Sequence, residues 1–310
     1  MSFPAYARSV LGVNLLVILW GAFVRASESG AGCGRHWPLC NGSVIPQSPA
    51  AATLIEYAHR ATSGLALILV VALWWWSRKE FAPGSRGRRA ATLALVFILT
   101  EALIGAGLVL LGLVGQDDSL ARAAYLALHL LNTFLLLAAL ALTALWSTNH
   151  APWRSPGRGA APWLLLLGLT AILVVGMTGA IAALGDTLFP SASLAEGLRA
   201  DTTPTSHLLV RLRVFHPALA LLSGVYLSSL GWFLARARPA SIQTPWSRVL
   251  GVLVLAQLGV GLVNLLMLAP TVLQIAHLLV ADLLWVTLVV YAATVLGAAP
   301  AARPAGASPA

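Results

Sequence analysis

Residues 32–42 read Gly-Cys-Gly-Arg-His-Trp-Pro-Leu-Cys-Asn-Gly, and residues 56–60 read Glu-Tyr-Ala-His-Arg. The first segment holds both cysteines of the chain, Cys33 and Cys40. In the second segment, Glu56 precedes His59 by three residues, which places the carboxylate and the imidazole on one face of a helix. Glycine, proline and serine are frequent between residues 26 and 53, as is typical of loops. The pattern predicts a cysteine-bearing loop between two apolar helices.

The composition indicates an integral membrane protein. Of 310 residues, 59% are hydrophobic and only 9% are charged, whereas a soluble domain has about 25% charged residues. An apolar run of roughly 20 residues can cross the hydrocarbon core, and the sequence accommodates eight such runs. The first run has no small-residue cleavage site after it, so we expect it to remain in the protein as a helix. The eight runs are expected at residues 8–26, 54–77, 90–114, 120–146, 163–184, 206–234, 246–269 and 271–297.

The positive charges are unevenly distributed between the loops. The loops at 77–90, 147–162 and 235–248 together carry ten lysines and arginines, whereas those on the opposite side carry two. By the positive-inside rule, both termini are cytoplasmic and the cysteine loop is on the outer face of the cytoplasmic membrane. The uneven distribution of the positive charges explains the net charge of +9 as a signal for orientation in a lipid bilayer. A nucleic-acid partner is therefore not expected.

The second half of the chain repeats the first. Residues 55–60 resemble 212–217, 100–105 resemble 256–261, and 127–131 resemble 275–279. Four predicted helices separate the copies, so both halves would have the same orientation, as in a parallel repeat. The predicted fold class is therefore an all-α integral membrane protein, with eight transmembrane helices as two parallel-repeat four-helix bundles. The expected divisions are an N-terminal half at 1–150, a C-terminal half at 151–298 and a disordered tail at 299–310.

Four histidines lie inside predicted helices: His59, His129, His216 and His277, one on each even-numbered helix. Each is about five to ten residues from the start of its helix, or roughly 8–15 Å deep at the helical rise. Histidine inside a membrane usually faces the interior of the bundle, and haem iron takes histidine as an axial ligand. Each half therefore presents two imidazoles suited to a haem, or else each histidine bonds a neighbouring helix. Zinc is disfavoured because no third or fourth ligand lies near any of them.

Other polar residues allow more than one interpretation. Arg25, Arg60 and Arg213 lie near helix ends, where guanidinium groups can pair with haem propionates. Glu101 and Asp282 are carboxylates within apolar helices. They either bond neighbouring helices or belong to a proton pathway.

The cysteine loop and Glu56 each have two readings. Cys33 and Cys40 either form a disulfide that closes a short loop, or they form a dithiol that cycles with a redox partner. Glu56 either completes a capping box with Thr53 at the start of the second helix, or it is an acid/base or cation-stabilising carboxylate beside a cofactor. The second half has Arg213 at the position of Glu56 and no cysteine. This asymmetry suggests one half built for chemistry and one built to hold a cofactor.

Several of these motifs, together with the single histidines 129, 216 and 277, resemble those of the haem A synthase family over about residues 8–297. The motifs are Val24-Arg-Ala-Ser-Glu-Ser-Gly-Ala-Gly-Cys33, Trp37-Pro-Leu-Cys-Asn-Gly42 and Glu56-Tyr-Ala-His-Arg60. Members of that family are eight-helix proteins that oxidise the C8 methyl group of haem O to the formyl group of haem A, for terminal oxidases of the cytochrome c oxidase type.

The resemblance implies a role for each candidate residue. His59 and His129 would hold the substrate haem O, and His216 and His277 would ligate the iron of a haem B cofactor. Glu56 would be the catalytic carboxylate, and the two cysteines would be the disulfide pair of the outer loop. The implied partners are haem O, a haem O synthase and an electron donor.

Two other functions fit part of the pattern. A di-haem b-type, quinol-oxidising electron-transfer subunit would also use four histidines and would leave its haems unmodified. A transporter built on parallel repeats would use Glu101, Gln257 and Asp282 as a polar path. The cysteine loop and Glu56, present in only one half, favour an enzyme, an oxidoreductase.

Overall fold

The computed structural model describes residues 1–47, 49–148, 159–237 and 245–297. In these ranges the chain is helical, with a short 3-10 helix at Ser29–Ala31, and it has no strand. The α-helices are Phe3–Ala26 (α1), Ala51–Glu80 (α2), Arg86–Leu110 (α3), Leu120–Thr148 (α4), Ala161–Leu188 (α5), Leu194–Thr202 (α6), Leu208–Leu212 (α7), Phe215–Ala237 (α8), Pro245–Leu266 (α9) and Thr271–Gly297 (α10).

The described residues contain eight spans that are long and apolar enough to cross a membrane. The prediction of an all-α membrane protein with eight transmembrane helices is therefore confirmed. Seven of the spans are single helices, because their apolar runs contain no internal proline that would break the hydrogen-bond ladder. The predicted boundary between residues 150 and 151 and the predicted tail at 299–310 lie outside the described residues.

The sixth span differs from the prediction of one continuous helix at 206–234. It consists of α7 and α8, and the break falls at Arg213 and Val214. Pro217 explains the break, because proline has no N–H to donate to the carbonyl four residues earlier and is tolerated in the first turn of a helix. His216 therefore lies at the start of a helix, next to an irregular segment.

The eight long helices pack in two rings that share a seam. Helices α1 to α4 contact one another in order, and α4 closes the ring on α1. Helices α5, α8, α9 and α10 do the same, and α10 closes on α5. The rings meet where α4 packs against α5 and α10, and where α1 packs against α10. Between α4 and α10, the Phe134 and Trp285 rings stack with centroids 5.4 Å apart. The seam cluster consists of Phe134, Leu137, Trp285 and Val289.

One end of the bundle, here called the cysteine end, carries residues 27–47, 49–50, 111–119, 189–207 and 267–270. Contacts between these loops join the two rings. Asp118 lies 3.5 Å from His207 Nε2, and the 189–207 segment, from which the sequence predicted nothing, contains α6. The candidate site residues lie at this end or within the first turns below it.

Candidate functional site

Each of the four histidines packs against a glycine on another membrane helix. A methyl group built on Gly21, Gly179 or Gly261 would lie 2.9 Å from the Cε1 atom of His59, His216 or His277, respectively. The same construction on Gly105 gives 4.0 Å to His129 Cε1. Because any side chain at the first three positions would collide with an imidazole, glycine is required there for the ring to lie on the helix backbone. These glycine–histidine contacts are the common feature of the candidate sites.

The C-terminal pair consists of His216 on α8 and His277 on α10. The two ring centroids are 6.2 Å apart and the rings are nearly perpendicular, at 88°. His216 Nδ1 lies 3.1 Å from the Val175 carbonyl oxygen, which leaves Nε2 for another partner. His277 Nε2 lies 3.2 Å from the amide nitrogen of Gln257, and its Nδ1 has no partner among the described residues. Each ring thus keeps one uncommitted nitrogen.

The N-terminal pair consists of His59 on α2 and His129 on α4. His129 Nδ1 lies 3.4 Å from a Glu101 oxygen. The Glu101 carboxylate accepts hydrogen bonds from Asn132 Nδ2, at 2.5 Å, and from the Thr133 hydroxyl. Glu101 therefore connects α3 to α4 beside His129. This confirms one of the two interpretations of Glu101, a bond between neighbouring helices.

The donor sets fit a metal that brings its own equatorial ligands. A metal bound by two imidazole nitrogens on opposite sides, each about 2 Å away, holds the two ring centres roughly 6 Å apart, close to the 6.2 Å between His216 and His277. No group of three or more histidine, cysteine or acidic side chains capable of holding a metal occurs in the described ranges. Haem iron, which needs only axial ligands from the protein, fits this arrangement.

The cysteine loop is closed by a disulfide between Cys33 and Cys40, as predicted. Both cysteines are buried, at 0% and 1% exposure. The loop lies directly on α2, because a methyl group built on Gly32 would lie 2.5 Å from the backbone of Ala52. The Thr53 hydroxyl donates to the Gly32 carbonyl at 2.8 Å. The disulfide loop is therefore a fixed cover over the start of α2.

Glu56 is buried beneath this cover, with 3% of its surface exposed. One carboxylate oxygen accepts a hydrogen bond from the Cys33 backbone N–H at 2.7 Å, and the other accepts from Arg60. The expected capping box is wrong, because α2 begins at Ala51 and Thr53 bonds the loop instead of a helix N–H. The carboxylate therefore connects the disulfide loop to the helix that carries His59.

Arg60 completes the attachment of the loop. Its guanidinium pairs with Glu56 and donates to the carbonyl oxygens of Leu39, at 2.5 Å, and His36. The side chain thus neutralises the buried carboxylate and satisfies two loop carbonyls at the same time. Long-range contacts of this kind leave no local signal in the sequence.

The other two arginines proposed to contact propionates also have protein partners. Arg25 donates to the Ala183 carbonyl and the Thr187 hydroxyl of α5, both at 2.7 Å, and to Gln274 of α10 at 2.6 Å. Arg213, at the break between α7 and α8, pairs with Asp186 at 3.0 Å and with Asp201 at 2.7 Å.

Sequence reasoning missed the glycines and Gln257 as members of the sites. Gly105 and Gly261 occupy matching positions in the repeated segments, as do Glu101 and Gln257 four residues earlier. The alignment of the two repeats could have identified these residues, because a residue that contacts a histidine in one half has its counterpart near the histidine of the other half. Gly21 and Gly179 lie outside the segments whose similarity is evident.

Comparison with known proteins places the chain in a family. A family model described as COX15-CtaA, cytochrome oxidase assembly protein, matches residues 5–289. A protein of Thermus thermophilus named protoheme IX farnesyltransferase is 49% identical over 291 residues, which are 94% of this chain and 48% of that protein. A heme A synthase of Halalkalibacterium halodurans is 44% identical over 100 residues, 32% of this chain and 33% of that protein.

A heme A synthase of Exiguobacterium sibiricum is 37% identical over 127 residues, 41% of each chain. The chain thus spans about half the length of the Thermus protein, and smaller shares of the two heme A synthases. The family model, in contrast, covers nearly the whole membrane part. The chain therefore belongs to the COX15-CtaA family of cytochrome oxidase assembly proteins, the haem A synthase family that its motifs resemble.

Proposed function

We propose that the protein is a haem A synthase, which oxidises the C8 methyl group of haem O to a formyl group. The observation that carries the proposal is the pair of facing histidines in the C-terminal half, 6.2 Å apart and each with one uncommitted nitrogen. The family membership supports the reaction class, an oxidation in haem A biosynthesis.

The two halves take different parts in this proposal. His216 and His277 hold a haem B cofactor, which supplies one-electron redox chemistry when it is bound. His59 and His129 hold the iron of the substrate haem O. The support for placing the substrate in the N-terminal half is the buried carboxylate of Glu56, which lies one helical turn from His59 and has no acidic counterpart in the other half.

Glu56 is the proposed catalytic carboxylate. Its two oxygens are fixed by the Cys33 N–H and by Arg60, so the group needs no rearrangement when charge develops beside it. A carboxylate held in this way stabilises positive charge on the carbon that is being oxidised, or accepts a proton from water that attacks it. The disulfide loop covers the carboxylate and limits its contact with bulk water.

Arg25, Arg60 and Arg213 remain proposed contacts of haem propionates. Each guanidinium already has protein acceptors, so a propionate would join an existing network in place of a weaker partner. Such a network near the cysteine end would orient the haem with its charged edge toward that end.

The expected setting is the cytoplasmic membrane, with both termini in the cytoplasm and the cysteine loop outside. The expected partners are haem O, a haem O synthase and an electron donor. The Thermus relative supports the second, because a protein named for farnesyl transfer to protoheme contains a segment 49% identical to this chain. A farnesyl transfer to haem is the class of reaction that must supply the substrate.

The test is haem extraction. The protein is produced with a supply of haem O and purified in detergent, and its extracted haems are separated by chromatography. Haem B together with haem O, a hydroxylated intermediate or haem A is the expected result. A protein that contains haem B in two copies and never yields haem A is the electron-transfer subunit instead, a function that the similar glycine–histidine contacts in both halves would also permit. Purification without any haem would contradict both.

A further inference from the structure

Asp282 is a buried carboxyl group that the proposed mechanism does not use. It lies in α10, none of its surface is exposed, and neither carboxylate oxygen has a hydrogen-bond partner in the described part of the chain. An ionised carboxylate in an apolar interior is strongly disfavoured unless a compensating positive charge lies nearby. One expectation for this residue, a bond between helices, is therefore wrong, whereas Glu101 does make such bonds.

The helix places Asp282 between the two histidine pairs. Trp285 and Val289 follow it by three and seven residues and share its face of α10, and both belong to the seam cluster that packs against α4. His277 precedes it by five residues, about 140° away around the helix, and contacts Gly261 on α9. Asp282 thus lies on the side of α10 that faces the N-terminal half, in the wall between the sites.

Packing at this position does not require a carboxylate. The repeat pairs His129 with His277, so the residue that corresponds to Asp282 is Phe134, five positions after His129. Phe134 is buried and stacks on Trp285. Because the matching position of the other half is filled by an apolar side chain, an acidic group at residue 282 lowers stability without a compensating contact.

We propose that Asp282 is a proton-exchanging site that compensates charge changes at the iron held by His216 and His277. This rests on the proposed function, in which that iron is a redox cofactor. If His216 and His277 hold haem iron, its reduction by a one-electron reductant such as dithionite would raise the proton affinity of the Asp282 carboxylate, which would take up a proton from water. Reoxidation of that iron by a one-electron acceptor such as ferricyanide would release the proton again, so that Asp282 offsets part of each change in charge.

The separation is short enough for this coupling. Five residues correspond to about 7.5 Å along the helix axis. At a distance on the order of 10 Å and an effective dielectric constant near 20, one unit of charge changes the proton affinity of a carboxyl group roughly tenfold. Among the described residues, no side chain of a neighbouring helix forms a hydrogen bond with Asp282. The charged and histidine side chains on the helices packed against α10 are Arg8 and Arg25 on α1, Arg122 and His129 on α4, Asp186 on α5 and Arg248 on α9.

The experiment is redox-difference infrared spectroscopy on the purified, haem-containing protein, reduced with dithionite and oxidised with ferricyanide. We expect the carbonyl stretch of a protonated carboxyl group to appear on reduction, to shift in D2O and to be absent from Asp282→Asn. Asp186→Asn is the matched control, because that carboxylate is paired with Arg213, and it should retain the band. The midpoint potential of the haem should depend on pH in the wild type and lose most of that dependence in Asp282→Asn.

Three results would overturn the proposal. A haem-containing protein whose difference spectrum lacks a band assignable to Asp282 shows that this carboxyl keeps one protonation state. An Asp282→Asn variant that loses its fold and its haem shows that the carboxyl has a structural role. A wild-type protein that binds no haem between His216 and His277 removes the proposed function and this inference together, and its absorption spectrum identifies that case.

Discussion

In both halves each histidine lies against a glycine of another helix, and the two halves differ in what lies above these residues. Glu56 precedes His59 by three residues, and Arg213 precedes His216 by three, so matching positions carry opposite charges. Glu56 bonds a disulfide loop and Arg60 from its own helix. Arg213 instead pairs with two aspartates from α5 and α6. The common part positions two imidazoles, and the part that differs decides whether a reactive group lies beside them.

The difference in charge also changes how each end is held. In the N-terminal half, one carboxylate and one guanidinium satisfy each other and the backbone of the loop. In the C-terminal half, the guanidinium is neutralised entirely by side chains of other helices. A substitution at residue 56 is therefore expected to affect chemistry and loop position, and one at residue 213 to affect the packing of α5, α6 and α8.

The largest expected effect is on catalysis by Glu56→Gln. The amide keeps the size of the side chain and an acceptor for the Cys33 N–H, but it removes the charge. We expect haem A formation to fall by roughly 10²–10⁴-fold, with haem content unchanged, as measured by chromatography of extracted haems. Glu196→Gln, on the exposed α6, is the control and should behave as the wild type. Haem A at the wild-type level in Glu56→Gln would show that the carboxylate has no part in the reaction.

Removal of the disulfide should have the next largest effect. In the Cys33→Ser/Cys40→Ser variant, the unfolded loop regains the conformational entropy that the disulfide removes, and this lowers the stability of the folded loop by about 2–3 kcal/mol. Backbone amides of residues 32–42 should exchange with deuterium much faster than in the wild type, while those of α8 to α10 stay unchanged. Equal exchange in both proteins would mean that the non-covalent contacts of Glu56, Arg60 and Thr53 hold the loop without the disulfide.

The glycine contacts predict a smaller effect, a loss of haem affinity that is confined to the half in which the glycine is substituted. Gly261→Ala places a methyl group 2.9 Å from His277 Cε1, and such crowding costs about 1–3 kcal/mol. Haem affinity of the C-terminal site should fall by roughly 5–150-fold, as measured by titration with added haem. Gly259→Ala on the same helix meets open space and is the matched control. Gly21→Ala should weaken the N-terminal site alone, and a loss at both sites would contradict separate sites.

The smallest expected effect is that of Thr53→Val. The substitution keeps the shape of the side chain and removes its hydrogen bond to the Gly32 carbonyl. Asn41 Nδ2 still donates to that carbonyl, at 3.1 Å, so the loss should be about 1 kcal/mol. Deuterium exchange of the Cys33 and Gly34 amides should rise about fivefold, with normal haem content. If deuterium exchange rises more in Thr53→Val than in the Cys33→Ser/Cys40→Ser variant, the Thr53 hydrogen bond contributes more to loop stability than the disulfide does.

The spans and the histidines could be predicted because they leave periodic or compositional signals. Eight apolar runs fixed the eight membrane helices within a few residues at most ends, and one histidine on each even-numbered span gave the candidate ligands. The break at Arg213 was missed because hydropathy is insensitive to backbone geometry, although Pro217 marked the position. The disulfide between Cys33 and Cys40 is confirmed, whereas the cycling of this pair with a redox partner stays a prediction.

The contacts of the site could not be predicted, because they join residues far apart in the sequence. The Cys33 N–H bonds a carboxylate 23 residues away, and a Thr-x-x-Glu pattern at the start of α2 suggested a local bond for Thr53 and Glu56 instead. Gly179 and His216 are likewise brought together only when α5 packs against α8. Such pairs depend on the helix register across an interface, which composition does not determine.

Arg25 has a consequence for biosynthesis. It lies on α1, whereas its acceptors on α5 and α10 are synthesised 158 and 249 residues later. Until then its guanidinium must be solvated by water or lipid head groups at the membrane surface. Helix α1 therefore reaches its final position only after α10 has been inserted, and a chain split between the two halves should require both fragments to be produced together.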